Sequence, residues 1–149
     1  MRHSTAGYLL ITLMTMLLLG GCQSAPAPDR PGDMPLVNTY WKLMSVNDQT
    51  VTVRDGQREP NIVLDAEGHR LRGHTGCNRM AGSYTSRGHS LTFGPITTTR
   101  MFCADSADTE QDLLDALEHT ARAHIQQDRL TLEDADGQPL ARFEARLMH

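Results

Sequence analysis

From Thr39 onward apolar and polar residues mostly alternate, and the spacing changes to a helical one only once. Period two sends successive side chains to opposite faces, so such a chain must build sheet with one buried face. In TYWKLMSV (residues 39–46) Trp41 and Leu43 share one face, while Tyr40, Lys42 and Met44 share the other. Residues 50–54 are short and rich in β-branched side chains. NIVLD (61–65) and HRLRG (69–73) flank Ala66-Glu67-Gly68, which reads as a hairpin turn. Residues 82–85 and 90–93 flank a second turn, Ser86-Arg87-Gly88-His89. Pro95 interrupts, and residues 96–101 resume extended chain.

The period then shifts. Leu113, Leu117, Ala121 and His124 or Ile125 recur at helical spacing, which predicts one amphipathic helix from Asp108 to about Gln127. Asp108 with Gln111 supplies a capping pattern, and Glu110 and Asp112 suit the first-turn dipole. Beyond it Leu130 and Leu132 alternate with Arg129, Thr131 and Glu133. Asp136-Gly137 is a turn signal, and LARFEARL (140–147) alternates again. Strands, one helix and a closing hairpin make an α+β domain: a small antiparallel sheet or a partly open barrel, with the helix packed over one end or face.

The first 21 residues stand outside this pattern. Arg2 precedes the apolar run LLITLMTMLLL (9–19), and Gly20-Gly21 precede Cys22, the layout of an export signal. The run is about half of the roughly 20 residues a bilayer-spanning helix needs, so a cleaved signal fits better than a permanent span. LGGC (19–22) resembles the bacterial lipobox. That resemblance implies lipid on the Cys22 sulfur, cleavage before it, and a membrane anchor made of two or three acyl chains. Gln23 follows, not Asp, which by the same resemblance points to the outer membrane, facing the periplasm. The Pro-rich stretch QSAPAPDRPGDMPL (23–36) reads as a tether reaching up to about 40 Å in extended form. The expected organisation is signal 1–21, lipidated N-terminus and tether 22–37, and one domain 38–149.

Charge narrows the partners. The formal net charge is −4, and loss of Arg2 with the signal leaves −5. With no basic block and arginines scattered among acids, nucleic-acid binding is not expected. Composition does not fix an oligomeric state. Once lipid claims Cys22, two cysteines remain, Cys77 and Cys103. In an oxidising compartment they are a candidate disulfide, worth about 3–4 kcal/mol by loop entropy; two buried free thiols are the alternative.

Two segments carry the most specific signal: GCNRMAGSY (76–84) and LTFGPITTTRMFC (91–103). Gly76, Cys77, Asn78, Arg79, Gly82 and Tyr84 in the first, with Thr98, Thr99, Arg100, Met101 and Cys103 in the second, resemble the META domain family of HslJ-like bacterial lipoproteins. Trp41-Lys42-Leu43 resembles its opening strand, so the likeness covers residues 39–147. The resemblance implies a cracked, barrel-like α+β fold similar in shape to lipid-binding pilot lipoproteins of secretins. It implies a role in stress response or envelope maintenance and no enzymatic activity. A binding or interaction module for an envelope protein or a lipid-like chain is thus the leading expectation. A lipid-binding chaperone or pilot comes second, and a small hydrolase third.

Individual residues admit plainer readings. Gly76, Gly82 and Gly94 suit turns or close backbone approach. Asn78 suits a left-handed turn or a bond to nearby backbone, and Tyr84 a buried ring with a partnered hydroxyl. Arg79 and Arg100 each lie beside a motif cysteine and are a candidate anion-binding pair; the alternative is that both fasten loops through Asp or Glu. A Cys77–His74 nucleophilic site is weaker than a structural bridge. His69, His74 and His89, or His119 and His124, have no recognised ligand spacing, so no metal or cofactor is expected.

Overall fold

The computed structural model describes residues 32–147. Ten strands form one antiparallel sheet: β1 Tyr40–Val46, β2 Gln49–Thr50, β3 Asn61–Asp65, β4 Arg70–His74, β5 Arg79–Arg87, β6 Ser90–Phe93, β7 Thr97–Thr98, β8 Arg122–Gln126, β9 Arg129–Glu133 and β10 Pro139–Arg146. One helix, α1 Ala107–His119, lies between β7 and β8. The strands run in the order β10-β9-β8-β6-β5-β4-β3-β1, and β1 pairs again with β10, so the barrel closes. Closure is the main departure from the partly open barrel expected. Six residue pairs, from Tyr40↔Arg146 to Val46↔Ala141, join the first strand to the last. The thinnest seam is β6–β8, where Ser90↔Arg122 is the one paired position. Two further backbone bonds hold it, from Leu91 N to Ala121 O and from Ala123 N to His89 O.

Alternation explains what fills the barrel. Trp41, Leu43, Ile62, Leu64, Leu71, Leu91, Leu130, Leu132 and Phe143 point inward and are 0–1% exposed. Leu113, Ala116 and Leu117, one stripe of α1, complete the same cluster. The helix touches β1, β6, β9 and β10 and packs its apolar stripe onto the barrel interior, as an amphipathic helix should. At about 1.5–3 kcal/mol per large apolar side chain, this interior is the main source of stability.

The helix ends eight residues earlier than its periodicity predicts. Thr120 stops it, its hydroxyl donating to Ala116 O, and residues 122–126 become β8. The spacing Leu117, Ala121, Ile125 is four, which fits a helix and is also a multiple of two. Pairing with β9 and the need to close the gap to β6 decide for the strand. The turn to β9 is Gln127-Asp128, with Gln127 at φ +58°, and it lacks the glycine that marks such turns. The helix begins at Ala107 after Ser106 without a side-chain cap, so Asp108 does not cap it. Of residues 50–54 only Thr50 is strand, and of residues 96–101 only Thr97 and Thr98 are. Leu147, expected inward at the end of β10, is 77% exposed.

The segment before β1 is tied down. Met34 N donates to Gln127 O, Asn38 N to Leu64 O, and the Trp41 indole to Leu36 O at 2.9 Å. Met34, Leu36 and Val37 pack on the core. Ordered contact with the barrel therefore starts near Asp33, inside the stretch read as tether. The signal, Cys22 and the rest of the tether lie outside the described residues. No helix among the described residues is long and apolar enough to cross a membrane.

Candidate functional site

The motif GCN is the turn between β4 and β5. Gly76 takes φ +102°, a backbone conformation that disfavours any residue with a Cβ, and Thr75 N donates to Asn78 O to close the turn. The turn places Asn78 against the chain that follows β7. Its Oδ1 accepts the Met101 N–H (2.8 Å) and the Thr99 hydroxyl (2.7 Å). Its Nδ2 donates to Met101 O (3.1 Å) and to the Glu110 carboxylate (3.0 Å). Facing both the N–H and the C=O of Met101, the amide has one workable orientation. It serves Met101 as a strand partner would, just beyond the last backbone bond of that segment, from Thr99 N to Arg79 O. Glu110, from the first turn of α1, also accepts the Thr75 hydroxyl. Asn78 is 3% exposed and Thr75 is sealed.

Beside this polar knot Cys77 and Cys103 are bonded, with their Cα atoms 5.7 Å apart. The bridge spans 26 positions and fixes the far end of the loop that Asn78 holds at Met101. Turn, loop and helix start are thus one clamp. With both sulfurs in a disulfide, no thiolate is available for a Cys–His site.

The other motif residues divide between architecture and surface. Gly82 has Pro95 O 3.1 Å from where a Cβ would sit, and at Gly94 the Ser83 hydroxyl would be 2.4 Å away. Both are close approaches: a Cβ would make the loop backbone give by a few tenths of an ångström at Gly82 and turn the Ser83 hydroxyl aside at Gly94. Tyr84 buries its ring and donates to Asp65 O (3.1 Å). Thr98 pairs with Met80, and Thr99 Oγ1 accepts the Arg79 N–H. Two apolar side chains of the clamped loop face out: Met101 is 58% and Phe102 89% exposed.

Arg79 and Arg100 do not line a common groove. Neither forms an ion pair among the described residues, so the loop-fastening alternative is not met either. Arg79 lines a groove of about 670 Å³ over β4, β5 and β7, which Arg100 does not line. Arg79 shares that groove with Arg58, Arg72, His74 and Tyr40. Arg58 and His74 are the residues that reading the motifs alone misses. His74 is 8% exposed, and its Nδ1 accepts the Gly76 N–H at 3.0 Å. Burial, then the charges of Arg58 and Arg79, hold its pKa below the usual histidine value, against a smaller opposing pull from Glu110. At the groove's edge Tyr40 donates to Glu59, which pairs with Lys42 at 2.9 Å. Burial and the Glu59 carboxylate push the Tyr40 phenol up to about 12.

The remaining histidines among the described residues stand in separate places. His69 rests on the Tyr84 ring, His89 lies near His124, and His119 bonds Asp115 O within its own helix. Among the described residues no three His, Cys, Asp or Glu side chains are grouped to hold a metal.

Residues 34–147 match the META domain family. The chain belongs to that family. An NMR structure of a protein from Burkholderia xenovorans is similar, with a TM-score of 0.61 and 26% identity over 76% of this chain and 85% of that one. A second NMR structure has a TM-score of 0.56 and 27% identity over 71% of this chain and 88% of the other. No curated protein matches the chain. META domains are not a known enzyme family, and their role is uncertain.

Proposed function

We propose that this META domain is a non-catalytic binding module, lipid-anchored through Cys22 in the outer membrane and acting in envelope maintenance or stress response. The observation that carries the reading is the clamped loop. Asn78, Glu110 and the Cys77–Cys103 bridge spend their bonding on holding residues 99–103 still, and that loop displays Met101 and Phe102 to solvent. A rigid segment that exposes an aromatic side chain suits recognition of an envelope protein, because little ordering cost is left to bind.

A lipid carrier needs an apolar cavity, and the barrel interior is filled by side chains that are almost fully enclosed. A hydrolase needs a nucleophile with an oriented base, and the motif cysteines are bonded to each other.

Two measurements test the proposal in cells making the full chain. Palmitate labelling should disappear in Cys22→Ser; persistent labelling contradicts the anchor. A photo-crosslinking residue in place of Phe102 should give a discrete protein adduct, and one in place of Arg87, exposed at the far end of β5, should not. Equal adducts at both positions, or acyl chains co-purifying with the lipid-free domain, would defeat the binding-module reading.

A further inference from the structure

Two hollows meet beside the clamp. The groove of about 670 Å³ lies over β4, β5 and β7, and a second of about 400 Å³ runs toward Gly56 and the disulfide. Arg58, His74 and Arg79 line both, so they stand on the divide between them. Arg58 and Arg79 are exposed, and neither has an ion-pair partner among the described residues. Carboxylates nearby are engaged elsewhere: Glu59 with Lys42 and Tyr40, Asp65 with Arg72, and Glu110 with Thr75 and Asn78.

His74 adds a directed donor. Because Nδ1 accepts from Gly76 N, a neutral ring carries its proton on Nε2. Nε2 has no bonding partner among the described residues, and no buried side-chain N or O there lacks one, so Nε2 is open to a ligand. Both guanidinium groups act on this ring, each lowering its proton affinity. The divide therefore gathers two unpaired cations and one N–H donor, with the Thr97–Thr99 hydroxyl-bearing edge alongside.

We infer that Arg58, Arg79 and His74 form an oxyanion-binding site, which takes a carboxylate or phosphate group of a ligand lying in the groove. Guanidinium forks supply the charge-assisted bonds and His74 Nε2–H the third donor. Arg100 takes no part. The inference deepens the binding-module reading and rests on it. The titration below addresses the groove alone, and palmitate labelling addresses the anchor, so either can fail without the other.

The test is a titration of the uniformly 15N-labelled domain (residues 32–149, disulfide intact) with inorganic phosphate and, separately, sodium acetate, each against sodium chloride at matched ionic strength. Saturable shifts confined to the amides around residues 58, 74–79 and 97–99 are expected, with affinity at least tenfold weaker in Arg79→Gln and in Arg58→Gln. Arg100→Gln should bind like the parent. Saturation by phosphate alone assigns a phosphate ligand, by acetate alone a carboxylate, and by both the shared oxyanion chemistry. Neither anion saturating, or equal binding by Arg79→Gln with an otherwise unchanged spectrum, overturns the site.

Discussion

Replacing Asn78 by Ala should be among the most damaging single changes in this domain. The side chain makes four bonds: two accepted at Oδ1 and two donated from Nδ2, one of them to a carboxylate. Three neutral bonds at about 1 kcal/mol and one charged bond at about 2 kcal/mol set a ceiling near 5 kcal/mol. Water reaching the half-buried partners recovers some of this, so a loss of about 3–5 kcal/mol is expected. With a urea slope of about 1.5 kcal/mol/M, the unfolding midpoint should fall by about 2 M or more. Asn78→Asp keeps the acceptor but sets a second carboxylate against Met101 O and Glu110, so it should fare no better. Equilibrium urea unfolding of residues 32–149, with the disulfide intact, reads both variants. A loss below about 1 kcal/mol in Asn78→Ala would refute the clamp as the reason for this motif.

Three further outcomes follow from other parts of the barrel. A Cβ at Gly73 would lie 2.2 Å from Asn61 O on the neighbouring strand, so Gly73→Ala should cost about 3 kcal/mol in the same unfolding assay; a neutral result would mean that β3 and β4 stand farther apart. Tyr40 and Tyr84 both ionise above the ordinary range, Tyr40 near 12, so absorbance at 295 nm should show little phenolate at pH 10, and a full-amplitude transition there would contradict their burial. The lowered pKa of His74 means that the folded state resists protonation. Its stabilising contribution is complete above the unfolded value of about 6.5 and is lost as pH falls through the folded value. Between pH 7.5 and pH 5 the melting temperature should therefore drop more in the parent than in His74→Asn, and equal drops would count against the buried neutral ring.

Much of the architecture is legible in the sequence because alternation is local. Trp41 with Leu43, Leu130 with Leu132, and Ala141 with Phe143 announce their inward faces two residues at a time. Closure is not local: nothing in TYWKLMSV says that its free edge meets β10 a hundred residues later. The helix end was hidden by a spacing that satisfies both periods, and only the demand of β9 for a partner resolves it. The candidate site shows the same division. Asn78 is conspicuous in its motif, yet its partners stand 21 to 32 positions away, so the sequence presents the residue without its task. Nearness to the two motif cysteines paired Arg79 with Arg100, whereas folding sets Arg79 beside Arg58 and His74 in one groove.

The most direct test of the central claim, that the family motif is a clamp on the loop after β7, is amide hydrogen exchange at Met101. This residue belongs to no strand or helix and its side chain is 58% exposed, yet its N–H donates to the buried Asn78 Oδ1 at 2.8 Å. It should exchange as slowly as the central amides of β4 and β5, and Asn78→Ala should release it. Exchange of Met101 at the rate of an unprotected loop in the parent protein would contradict the account.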